Sequence, residues 1–218
     1  MQKVRLWTRN FIALVAANGL LFGSFHFLLP TLPLYAAGLG ADGTQIGIIG
    51  GVFGFSAKFI RLFTDTGVRA LGKKNCLYGG LALSILATLS YFVFSSIDEI
   101  IFARVLHGLG FGLSTTFAAA IAAEVIPAER RGEGIGYLGL GSTVAMAMAP
   151  ALGIVLLTDF NPAVLFLTSA ILSLGAVVAV RCCGFSEKAV ELPQPAIHAS
   201  IRNRFFESGT GIPAVLTI

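Results

Sequence analysis

The chain of 218 residues is 56% hydrophobic and only 12% charged, with a mean hydropathy of +0.85; that composition excludes an ordinary soluble domain and points to a membrane protein. Its net charge of +4 calls for no nucleic acid, because the basic residues sort to one side of a bilayer. The 26 glycines and 18 phenylalanines suit helices packed closely enough for backbones to approach.

A helix crossing the hydrocarbon core needs about 20 apolar residues. Six stretches meet that length: Asn10 to Ala36, Thr44 to Thr66, Asn75 to Phe94, Ile100 to Val125, Gly134 to Leu157 and Pro162 to Val180. Lys3, Arg5 and Arg9 precede the first; Arg69, Lys73 and Lys74 separate the second from the third; Arg130 and Arg131 separate the fourth from the fifth; Arg181 and Lys188 follow the sixth. The other three connections carry no Lys or Arg, so the positive-inside rule predicts a cytoplasmic N-terminus and a cytoplasmic segment after the sixth span. The first apolar stretch is too long for a signal-peptide core and further spans follow it, so the first helix itself is expected to direct insertion. Cys76, Cys182 and Cys183 fall on the cytoplasmic side, where reduced thiols are the expectation. No metal site or cofactor is called for.

Residues 1–181 thus read as a six-helix bundle. Residues 182–204, with Pro193, Pro195 and several charges, read as a cytoplasmic linker. Residues 205–218 read as the start of a seventh span cut short, or else as an amphipathic tail on the membrane surface.

Within the fourth span, Arg104, His107, Gly108, Phe111 and Thr115 share one helical face. A charge inside the bilayer costs at least about 2.5 kcal/mol, so it faces protein or a water-filled path and marks function, unless it snorkels from a helix end. The first span sets Asn18, Phe22, Phe25 and His26 on one face, near Pro30 and Pro33. Gly134 to Gly139 fits a G-x-G-x-x-G pattern, but no strand precedes it and it opens a membrane helix. Asn161-Pro162 reads as a helix N-cap followed by proline at the first helical position. On the fifth span, Gly141, Ala145, Ala149 and Gly153 form a small-residue row, with Pro150 bending the helix.

Two of these stretches together, Arg104-x-x-His107-Gly108 and the turn I-P-A-E-R-R-G-E-G-I-G-Y-L-G from Ile126 to Gly139, strongly resemble the major facilitator superfamily of transporters. His107 stands where that family's R-x-x-Q-G element has glutamine, which brings proton transfer within reach. The fifth span resembles the family's antiporter motif, with Gly136, Pro150 and Gly153 at fixed positions and Gly141 in the adjoining small-residue row. Residues Asp65 to Lys74 resemble the signature G-x3-D-R-x-G-R-K. Gly72, Lys73 and Lys74 match it, while Asp65, Arg69 and Ala70 depart from it. In the family this turn is a charge lock at the cytoplasmic end; here Asp65 and Arg69 can pair on a helix face, and Arg130 and Arg131 join the same surface.

The resemblance implies an all-α membrane protein, six transmembrane helices forming one half of a twelve-helix bundle as a 3+3 inverted repeat. It implies a transporter rather than an enzyme, by the family's pattern a proton-coupled exporter of a small organic molecule. Asn18, His26, Arg104 and His107 would lie along the substrate or proton path. The expected partners are the lipid bilayer, a small-molecule substrate, protons, and a C-terminal six-helix half or a second copy. The alternative is a six-helix channel or non-transporting membrane subunit.

Overall fold

A computed structural model of the chain describes residues 5–182, which fold into α-helices joined by short turns, with no strand among the described residues. α1 runs Arg9–Gly38, α2 Gly43–Arg61, α3 Thr64–Ser90, α4 Ile97–Val125, α5 Arg131–Val155 and α6 Pro162–Arg181. Apart from Cys182, the expected linker and the start of a seventh span lie outside the described residues.

Polar caps start four of these helices by supplying acceptors to backbone N–H groups that have no partner within the helix. Thr8 caps α1 and Asn161 caps α6, with Pro162 at the first helical position. Asp42 with Gln45 and Ser96 with Glu99 close reciprocal capping boxes at α2 and α4.

The second expected span, Thr44 to Thr66, ends early. α2 stops at Arg61, the chain turns by 82°, and α3 starts at Thr64, so the expected connection over Asp65 to Lys74 is helical instead. Lys58 and Arg61 sit in the last turn of α2 and Asp65 in the first turn of α3, each sign matching the dipole of the helix end it occupies. α3 is itself interrupted at Gly72, where φ is 79° and ψ 161°, a backbone conformation that glycine adopts at little cost.

Among the described residues, α1, α4, α6 and the stretch Ala128–Phe160 that contains α5 are each long and apolar enough to cross a membrane; α2 and α3 pass only as a bent pair. That makes four spans, or five with the pair, against the six expected. The basic end of α2 and the charged first third of α3 lower their hydropathy below that of a free-standing span.

α1 packs against α5 and α6, while α4 packs against α2 and α3; α1 also meets α4, and α3 meets α6. Two apolar cores form along the bundle. One gathers Phe11, Leu14, Leu77, Leu81, Phe117 and Ile121, the other Leu28, Leu32, Ile49, Ile100, Leu165 and Phe166. Between them in the order of each helix lies a layer of buried polar side chains: Ser24 and His26 on α1, Ser84 and Thr88 on α3, Arg104 and His107 on α4, Ser169 and Ser173 on α6. Away from water these groups satisfy one another where they can. The Ser24 hydroxyl lies 2.8 Å from the Ser169 carbonyl and 2.7 Å from Ser173 Oγ, while the Ser169 hydroxyl donates back to the Ser24 carbonyl at 3.0 Å.

Candidate functional site

The site forms where α4 crosses α2 beside α1. Gly108 and Gly112 bring the two backbones together: a Cβ added to Gly108 would stand 2.5 Å from the Phe53 carbonyl oxygen, and one on Gly112 2.5 Å from that of Ala57. This close approach slides the Phe53 ring beneath the guanidinium of Arg104, 5.1 Å from Cζ to the ring centroid, a cation–π contact that gains strength when desolvated. Arg104 is 0% exposed. Its Nη2 donates to the Leu28 carbonyl at 3.4 Å, in the stretch of α1 interrupted by Pro30 and Pro33. No carboxylate pairs with Arg104 among the described residues.

His107 lies one turn along the same face, buried, with its ring edge-on to Phe53 at 5.4 Å, to Tyr91 at 6.4 Å and to Phe25 at 6.5 Å. His26 reaches the other side of Phe25, at 4.8 Å. Its Nδ1 donates to the Phe22 carbonyl at 2.8 Å, since a carbonyl oxygen can only accept. Phe25 and Phe53 stack at 4.3 Å, so Arg104, His107 and His26 share one aromatic cluster. The Tyr91 hydroxyl is in electrostatic contact with the guanidinium without reaching hydrogen-bond geometry. Arg104 Nε and Nη1, the Tyr91 hydroxyl and His107 Nδ1 are buried with no hydrogen-bond partner among the described residues. All four can donate. Chemically, the cluster offers a permanent cation, two imidazole rings, and donors for an acceptor-bearing group.

Asn18 lies elsewhere. Its Nδ2 donates to the Leu138 carbonyl at 3.0 Å, tying α1 to α5 two turns away from His26. On the fifth helix, a Cβ on Gly153 would stand 2.7 Å from the Phe27 carbonyl oxygen and one on Gly141 3.3 Å from that of Val15, so both seat α5 on α1. Pro150 lies inside α5, and a Cβ on Gly136 would meet nothing within 4 Å.

The charged surface is organised differently from the expected Asp65–Arg69 pair. Both residues are exposed and, among the described residues, do not pair with each other. Lys73 instead pairs with Glu124 near the end of α4, just after the Gly72 break redirects α3. Arg130 holds Glu133 through two bonds, Nε to Oε2 at 2.8 Å and Nη2 to Oε1 at 2.7 Å, and Arg131 is exposed. Sequence reasoning missed Glu124, although an acid in the last turn of a helix opposes the dipole and so asks for a cation. It also missed Phe53 and Tyr91, for which the sequence holds no signal.

Comparison with known proteins adds the following. The family described as Major Facilitator Superfamily matches residues 5–215. The "Quinolone resistance protein NorA" of Staphylococcus aureus is 25% identical over 134 residues, covering 62% of this chain and 34% of that protein. A "Probable 4-methylmuconolactone transporter" of Cupriavidus pinatubonensis is 31% identical over 140 residues, covering 61% of this chain and 30% of that protein. The matches thus span about a third of the length of these curated relatives.

Proposed function

The chain belongs to the major facilitator superfamily, and from that premise we propose that it is one six-helix half of a secondary active transporter that exports a small organic molecule by alternating access, driven by protons. The observation that carries this reading is the buried Arg104–His107–His26 cluster between two apolar cores. A cation and two titratable rings at mid-bundle have a high cost in hydrocarbon and serve no anchoring purpose there.

The pattern of neighbours supports a 3+3 repeat. Exchanging α1 with α4, α2 with α5 and α3 with α6 maps the α1–α5 contact onto α4–α2 and the α1–α6 contact onto α4–α3. On this reading α2 and α3 each cross the membrane, giving six spans with the N-terminus and the linker in the cytoplasm. α5 supports the presence of a partner unit: 11% of its apolar window is buried, against 56% for α1 and α4. A C-terminal half or a second copy would supply the other wall of a central path near the midplane. In that assembly His107 passes the proton, Arg104 orders the cluster through Phe53 and Leu28, and Lys73, Glu124 and Arg130 brace the cytoplasmic end. The relatives' names point to a quinolone or a muconolactone as the kind of substrate.

The test uses everted membrane vesicles containing the chain together with a candidate partner half, with a fluorescent quinolone supplied outside them under an imposed pH gradient. Uptake that vanishes when the gradient is collapsed, and counterflow driven by unlabelled quinolone, are the expected results. Uptake indifferent to the gradient would remove proton coupling. Passive flux without counterflow would leave a channel.

A further inference from the structure

The guanidinium of Arg104 keeps its charge wherever it is placed, and an ion taken out of water needs an opposite charge and acceptors for its remaining protons. Arg104 has little of either. Its carbonyl partner, on Leu28, lies at 3.4 Å, where about 2.9 Å is usual, and its Nε and Nη1 have no partner among the described residues. The bundle holds no acid at this level: every Asp and Glu among the described residues stands in the first or last turn of a helix or in a connection between helices.

Two further donors stand beside the cation. The Tyr91 hydroxyl comes from the end of α3 and is in electrostatic contact with the guanidinium, and His107 Nδ1 comes from the next turn of α4. Neither has a hydrogen-bond partner among the described residues. Arg104 is 0% exposed, and Tyr91 and His107 are 1% exposed. Leu28 of α1, Phe53 of α2 and Phe166 of α6, the last 5.5 Å from Tyr91 between ring centroids, wall the cluster in. Because the chain's own helices enclose these donors, what answers them is small and diffusible rather than a side chain of another subunit. One positive charge, a hydroxyl and an imidazole N–H together match a single negative charge that accepts several hydrogen bonds. A phosphate or sulfate would bring a second charge that nothing here balances.

We propose that Arg104, Tyr91 and His107 form a binding site for a monovalent anion, arriving either as free chloride or as the carboxylate of a small organic molecule. The donors are closed over by the chain, so the anion enters as the surrounding helices part, a motion that a transporter makes in each cycle; in needing that motion the site rests on the transport reading.

Binding is measured without transport. The full chain is melted in detergent and followed by circular dichroism, while sodium sulfate is exchanged for sodium chloride or sodium butyrate at low, constant ionic strength. An anion held by the folded state alone raises the midpoint as its concentration passes the dissociation constant, whereas general salting-out favours sulfate. The midpoint should rise against that order: a response to chloride assigns a free anion, and a response to butyrate alone assigns a carboxylate-bearing molecule. Tyr91→Phe removes a hydroxyl with no partner in the protein, so in sulfate it should melt no lower than the unaltered chain. It should nonetheless need about tenfold more anion for the same rise, the loss of one hydrogen bond to a charged group. Arg104→Gln should lose the response altogether. Equal melting in the three salts, or an anion response unchanged by Tyr91→Phe, would overturn the site. Anion binding by a chain that shows no counterflow with its partner half would keep the site and remove the transport reading, and counterflow by a chain that melts alike in the three salts would do the reverse.

Discussion

Gly108→Ala probes the tightest contact beneath the Arg104 cluster. An added Cβ would lie 2.5 Å from the Phe53 carbonyl oxygen and 2.9 Å from Ser56 Cβ, where ordinary contact begins near 3.4 Å. The nearest clashing atom belongs to the backbone and cannot rotate aside, so α2 must retreat by about 0.9 Å. Overpacking of this kind costs about 1–3 kcal/mol, against a gain of at most about 1 kcal/mol from replacing glycine inside a helix. The variant should therefore be less stable by roughly 1–2 kcal/mol, at about 2–4 °C of melting temperature per kcal/mol for a chain of this size. Gly136→Ala is the matched control, since its Cβ meets nothing within 4 Å, and it should raise stability slightly. Thermal unfolding in detergent, followed by circular dichroism, reads both. Retreat of α2 also draws Phe53 from under the guanidinium, so transport by Gly108→Ala should fall at equal expression. A Gly108→Ala protein that melts at or above the unaltered chain would refute the close α2–α4 contact and with it the placement of Phe53.

Arg104→Lys should lose most transport at normal membrane expression, because an ammonium cannot lie flat on Phe53 while bonding the Leu28 carbonyl; full activity would reduce Arg104 to an anchor. His107→Gln should keep substrate counterflow and weaken the dependence of transport on the proton gradient, and an unchanged dependence would move the proton to another group. A double-mutant cycle on Lys73→Ala and Glu124→Gln should give a coupling under about 1 kcal/mol, since the Glu124 side chain is 51% exposed and solvent screens the pair; zero coupling would show the pair to be inert, and Asp65→Asn should match Asp42→Asn in lowering stability by less than about 1 kcal/mol, the loss of one charge at a helix N-terminus. Cysteines placed at Asp42, Asp98 and Asp159 should label from outside the cell and the exposed Cys182 only from inside, whereas buried Cys76 should label from neither side in the folded protein.

Of the site, the α4 face was legible because helical spacing alone aligns Arg104, His107 and Gly108. The joint appearance of His26 was legible only as a resemblance, since nothing local relates a histidine on α1 to one on α4. Asn18 illustrates the limit. It shares a helical face with His26, yet two turns of separation along α1 send its amide to the Leu138 carbonyl of α5.

Composition, basic alternation and capping chemistry are properties of single residues and short neighbourhoods. From them alone followed the all-helical membrane class, the arginine inside an apolar span, and the start of α6 at Asn161-Pro162. The break between α2 and α3, the Lys73–Glu124 pair, the Phe53 platform and the polar layer between two apolar cores were decided by tertiary structure. The reason is that membrane helices are apolar nearly all round, so no stripe in the sequence reveals which face turns inward. That choice belongs to pairs of helices and is made where glycines let their backbones touch and buried polar groups, denied water, must find each other.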